Sequence, residues 1–144
     1  MADRLNLGSG APWEASAGYC RVVRRGPQVW VSGTVALGED GEPLVGAGAY
    51  AEARRCLEII AAALEKAGAG LEDVVRTRMY VTDIGDWQAV ARAHGEVFGR
   101  IRPATTLVSV AALIAPEFSV EIEAEAWIED AAGVGSGAGA PETV

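Results

Sequence analysis

Residues 118–128 alternate without a break. Val120, Ile122, Ala124, Ala126 and Ile128 fall on one side of an extended chain, and Glu121, Glu123, Glu125 and Trp127 on the other. Only a strand has a side-chain period of two, so this segment belongs to a sheet with one apolar face. Such a face has to be covered by another layer, and the remainder of the chain supplies helices to cover it.

From Ala49 to Ala67 the apolar positions Ala53, Leu57, Ile60, Ala61 and Leu64 recur at three- and four-residue steps, Glu52, Arg55, Glu58 and Glu65 fall elsewhere, and Gly68 is a stop. That pattern predicts an amphipathic helix. A second helix is expected from a cap at Asp83 or Asp86 to Phe98, with Val90, Val97 and Phe98 on its apolar side and Gly99 ending it. His94 falls near that apolar side, where a structural or interface role is expected.

Four further runs are strand-like. Tyr19–Arg25 and Gln28–Gly33 flank Gly26-Pro27 and form a hairpin; residues 36–48, punctuated by glycines and Pro43, form a loop. Val74–Thr82 sets Val75, Met79 and Val81 against Arg76, Arg78 and Tyr80, and Pro103 opens another strand through Val110. The expected order is β-β-α-β-α-β-β, an α+β two-layer sandwich with helices on one face of a mixed sheet. The open face carries Trp127 and Tyr80 among charges, a composition suited to a subunit interface, with Glu123 and Glu125 balancing Arg76 and Arg78.

Length and charge narrow the function classes. The 144 residues correspond to one domain, and 12 basic against 20 acidic residues give a net charge of −8, which works against binding a phosphate backbone. Cys20 and Cys56 lie far apart with no metal-ligand spacing, so neither a zinc site nor a disulfide scaffold is indicated. No apolar run reaches the ~18 residues of a membrane span, and residues 1–4 lack the pattern of a signal peptide. A soluble, cytoplasmic protein without nucleic-acid or membrane partners is expected. Residues 1–12 are expected to be a flexible N-terminal segment, 13–130 the folded domain, and 131–144, rich in Gly and Ala, a disordered tail.

Three segments carry a more specific signal. They are Gly18-Tyr19-Cys20-Arg21-Val22-Val23 followed by Val29-Trp30-Val31-Ser32-Gly33-Thr34; Asp73–Thr77 through Tyr80–Asp83; and Arg102-Pro103-Ala104-Thr105-Thr106 with Val120-Glu121-Ile122-Glu123-Ala124. In this order and spacing they resemble the Rid family, also called YjgF/YER057c/UK114, over about residues 18–128. The resemblance implies a chorismate-mutase-like fold assembled as a homotrimer, with small-molecule clefts between subunits. It also implies hydrolysis of reactive 2-imino or enamino acids to keto acids and ammonia, with no metal or organic cofactor.

Glu121 matches the family glutamate that handles the attacking water, and Tyr19 the aromatic at the cleft wall. Ser32, Gly33, Thr105 and Leu107 complete the expected substrate-binding set; the backbone N–H groups of Ser32-Gly33-Thr34 either serve a ligand oxygen or simply form the turn that leaves the strand, and Thr105 and Leu107 point to one face of theirs. Two positions depart from the pattern. Thr105 stands where family members with this activity have the Arg of Pro-Ala-Arg, which pairs the substrate carboxylate, and Ala91 stands for a family Asn. A hydroxyl cannot neutralise an anion. The expected substrate therefore either has no free carboxylate or binds it through another cation, Arg21 or Arg102. The reading is a Rid-like deaminase of altered specificity, and its rival is a non-catalytic trimeric binding module.

Overall fold

The computed structural model describes residues 3–129. The expected tail at 131–144 lies outside them. A six-stranded sheet runs in the order β1-β2-β3-β6-β4-β5, formed by β1 (Arg4–Leu7), β2 (Val22–Arg25), β3 (Gln28–Val35), β4 (Val74–Val81), β5 (Ala104–Ser109) and β6 (Val120–Trp127). All neighbours are antiparallel except β4 and β5, which are joined by a helical crossover as parallel strands require. The helices are α1 (Pro12–Ala17), α2 (Ala49–Lys66) and α3 (Trp87–Phe98). Among the described residues no helix is long and apolar enough to cross a membrane.

β6 lies at the centre, between β3 and β4, and its alternation is the one the sequence shows. Val120, Ile122, Ala124 and Ala126 are buried with Leu57, Ile60 and Leu64 of α2 and with Val90 and Phe98 of α3 in one core. Ile122 is fully buried. Ile122→Ala should therefore destabilise the fold by about 2–5 kcal/mol, the range for deleting buried aliphatic side chains; urea unfolding would measure it, and a change of a few tenths would place Ile122 outside the core.

The N-terminal expectation is corrected. Arg4–Leu7 is not an irregular segment but pairs along β2, from Arg4 opposite Arg25 to Leu7 opposite Val22, and α1 follows it. The order thus gains a strand and a short helix before the expected β-β-α-β-α-β-β. Three of the four β1 residues are exposed, so no hydrophobic period betrays the strand; its backbone ladder holds it. On β4 the ladder shifts register between Val74 and Arg76, which buries Val74, leaves Val75 50% exposed, and puts Thr77 in line with Met79 and Val81. Val75 is therefore not on the apolar face, because a bulge breaks the alternation.

Two polar groups of the helices are buried. Glu52 is buried, its carboxylate accepting from the Ser119 N–H at 2.9 Å and from the Ser119 hydroxyl, which fixes the chain entering β6. His94 is buried as expected, its ring 4.7 Å from that of Phe98 and its Nε2 2.7 Å from the Thr77 hydroxyl. Burial lowers the pKa of this histidine.

Candidate functional site

Strand β3 breaks register against β6 between Val31 and Thr34, so Ser32 and Gly33 bulge from the ladder before pairing resumes with Thr34 opposite Ile122 and Val35 opposite Glu121. The Glu121 side chain lies over the Gly33 Cα. A Cβ at residue 33 would stand 3.1 Å from Glu121 Cδ and closer still to Oε1. Only glycine leaves room for the carboxylate there. Gly33→Ala should displace it, and an NMR titration should then find the Glu121 pKa shifted back toward the ordinary carboxylate value. An unchanged titration would show that the carboxylate does not rest on Gly33.

Below the bulge, Arg21 crosses from the start of the hairpin. Its Nη1 donates to Thr34 Oγ1 at 2.9 Å and its Nη2 to the Gly33 carbonyl at 2.8 Å. The Thr34 hydroxyl in turn donates to the Ser32 carbonyl at 2.8 Å, and the Ser32 hydroxyl to the Cys20 carbonyl at 2.8 Å. These bonds fix the bulge and with it the Glu121 position. Tyr19, Arg21, Gly33 and Glu121 border one hollow of about 160 Å³, closed by Trp13 of α1 and by Ile114. That volume suits a small metabolite.

Among the described residues neither Glu121 oxygen has a hydrogen-bond donor. Burial raises its pKa above the ordinary carboxylate value; the Arg21 charge pulls it back in part, and Glu123 adds to the rise. A free, half-buried carboxyl beside an apolar-walled hollow is a group able to take up and return protons. Glu123 and Glu125 are engaged elsewhere. Arg78 reaches Glu125 at 2.8 Å and Glu123 at 3.7 Å, and Tyr80 donates to Glu123. Arg78 alone makes the expected ion pairs on this face; Arg76 makes none among the described residues.

Of the residues expected to form the site, the chain brings Tyr19, Gly33 and Glu121 together. Ser32 is a brace: its hydroxyl is used on Cys20 and its N–H donates to the Arg21 carbonyl at 3.0 Å, so it has no amide to offer a ligand oxygen. Thr105 and Leu107 are not at this hollow within one chain. Thr105 stands opposite Thr77, whose hydroxyl donates to it at 2.8 Å, and the Thr77–Thr105 register puts both on the helix-covered side. Thr105 and Leu107 border a separate hollow with Met79, Ile84, Trp87 and Ala91. Both departures from the Rid pattern, Thr105 and Ala91, therefore line one and the same apolar hollow. Trp13 and Ile114 were not legible as site residues; an unburied aromatic outside every periodic segment was the only trace of Trp13.

No group of three or more His, Cys, Asp or Glu able to hold a metal occurs among the described residues. Both cysteines are free thiols, and burial pushes Cys56 far up, which leaves it unreactive.

Fold and hollow together define a small α+β protein whose central strand delivers one unpaired carboxyl to a glycine-floored cleft. The chain belongs to the family described as Endoribonuclease L-PSP, whose model matches residues 9–128, the same family as YjgF/YER057c/UK114. Among solved structures it is similar to Rv2704 of Mycobacterium tuberculosis, a member of that family, at 48% identity and a TM-score of 0.79 over 88% of this chain and 100% of the other. Among curated relatives it is 39% identical to the uncharacterised protein SCO2049 of Streptomyces coelicolor over 83% of this chain and 88% of the relative. It is also 30% identical to the 3-aminoacrylate deaminase RutC of Acinetobacter baylyi, over 89% of this chain and 100% of that protein.

Proposed function

We propose that the protein is a cytoplasmic, homotrimeric deaminase that hydrolyses a small imine or enamine, with Glu121 as its proton-handling group. The observation that carries this reading is the Glu121 carboxyl, free of hydrogen-bond donors among the described residues and set over Gly33 in a small hollow. An imine, C=N, takes up water to give C=O and ammonia. The imine reacts in its nitrogen-protonated form: Glu121 accepts a proton from water as the oxygen adds to carbon, giving a carbinolamine. Glu121 then gives that proton to the nitrogen, and as the C–N bond breaks ammonia leaves and the hydroxyl proton returns to Glu121, leaving C=O. An enamine joins the same route by first taking a proton at carbon to become the imine, a proton that Glu121 in its acid form can donate. The relative named as a 3-aminoacrylate deaminase supports the enamine branch.

The net charge of −8 and the three glutamates of β6 argue against RNA cleavage, the activity in the matched family's description. A binding module without catalysis is the rival reading, favoured by the apolar hollow at Ala91 and Thr105. An assay in which an amino-acid oxidase generates imino acids, run beside carboxylate-free imines and enamines, separates the two. Ammonia release faster than the spontaneous reaction is the expected result. No acceleration with any of these compounds would leave the hollow as a binding site only.

A further inference from the structure

Arg21 is a half-buried cation that makes no salt bridge, although the Glu14 and Glu121 carboxylates lie near enough to act on its charge. Among the described residues no carboxylate lies within ion-pair distance of it, in contrast to Arg78, which holds both Glu123 and Glu125. A guanidinium has five N–H donors. Two of them reach Thr34 and Gly33, and Nε is buried with no acceptor at all. Burying a charge is unfavourable unless it is paired, and the side chain pays this in a wall shared with Glu121.

We propose that Arg21 is the anion anchor of the hollow and that the ligand it recognises is a small monocarboxylate. The assignment rests on the proposed use of this hollow as the substrate site and adds the residue that selects the substrate's charge. Gly33 fixes the geometry: its carbonyl accepts from Arg21 and its Cα lies under Glu121, so anchor and proton-handling group stand one residue apart. A molecule with its carboxylate at Arg21 and its reacting carbon at Glu121 need be only a few atoms long, in keeping with about 160 Å³. A single cation beside a carboxylate in a chain of net charge −8 suits a monoanion better than a phosphate dianion. The other basic residue open from the sequence, Arg102, is exposed and does not border this hollow. Carboxylate recognition thus rests on Arg21 rather than on the position of Thr105, which borders a separate hollow of the same chain.

The test is calorimetric titration with pyruvate and with pyruvamide, its uncharged isostere, at about pH 8, where pyruvate is ionised. Wild-type protein should bind pyruvate at least about tenfold more tightly than pyruvamide, the scale of one charge-assisted hydrogen bond. Arg21→Gln keeps donors for Gly33 and Thr34 but removes the charge, and should abolish that preference while pyruvamide affinity stays. Arg21→Lys should retain part of it. Glu121→Gln removes a like charge beside the bound carboxylate and should tighten pyruvate, which places the acid in this hollow.

The amide serves as the internal control for a misfolded variant. Equal affinity for acid and amide in the wild type, a preference that survives Arg21→Gln, or pyruvate affinity unmoved by Glu121→Gln would each overturn the assignment. An Arg21-dependent preference in a protein that hydrolyses no imine would sink the deaminase reading and leave the anchor standing. Imine hydrolysis with an acid preference indifferent to Arg21 would do the reverse.

Discussion

Glu121→Gln should lower the rate of imine or enamine hydrolysis by about 10²–10⁴-fold, the usual contribution of a positioned general acid–base group. Gln keeps the size and hydrogen-bonding capacity of the side chain but cannot take a proton. The fall should appear in kcat, because Arg21 and Tyr19 still hold the ligand. The parent enzyme should lose activity as pH falls through the Glu121 pKa, which burial sets above the ordinary carboxylate value, and the variant's residual rate should lack that limb. Stability gives a second sign. A carboxyl whose pKa is raised by folding stabilises the fold below its unfolded pKa, and that contribution is lost as pH rises through the folded value. At neutral pH the Gln variant should therefore melt at the parent temperature or above it. Turnover at the parent rate would refute the proton-transfer role, and a lowered melting temperature would assign Glu121 to structure instead.

The sheet and both long helices are legible in the sequence because each buries one continuous face. Alternation in β6 and the 3.6-residue period in α2 are direct consequences of that burial. β1 escapes because it is an edge strand with little buried, and a ladder of backbone bonds leaves no mark on side-chain pattern. The Val75 error has a similar source: the alternation is real, but a bulge advances it by one residue.

The site is harder to read. Glu121 and Tyr19 come from motif resemblance, yet the contact that defines the hollow depends on the β3 bulge and on the register of Val35 with Glu121. Arg21 looks like one more alternating residue of the first hairpin strand, whereas the strand begins only at Val22. Thr105 and Leu107, two apart on β5, necessarily share a face, but which face depends on pairing with Thr77, and pairing is a long-range property that no local window contains.

That placement gives the last prediction: the working site should be completed across a subunit boundary. Glu121 faces the side of the sheet that carries Trp30, Arg78, Tyr80 and Trp127, opposite the side on which α2 and α3 pack, and it also borders a shallow open hollow with Tyr80 and Leu113. Trp30 and Trp127 remain 39% and 48% exposed on this face, large aromatics that association would bury. The Thr105–Ala91 hollow opens on the edge strand, out of reach of Glu121 in the same chain. A closed trimer in which the edge of one protomer met the open face of the next would make the two hollows one cleft. Light scattering should therefore give three times the 14.9 kDa of one chain. Ala91→Trp, which plugs the edge hollow from the half-buried rim of α3, should abolish turnover as Glu121→Gln does. When the two inactive variants are unfolded and refolded together, some clefts combine an intact Glu121 with an intact edge, and activity should return. A monomeric mass removes the shared cleft altogether, and a trimer whose mixed variants stay inactive confines catalysis to a single chain.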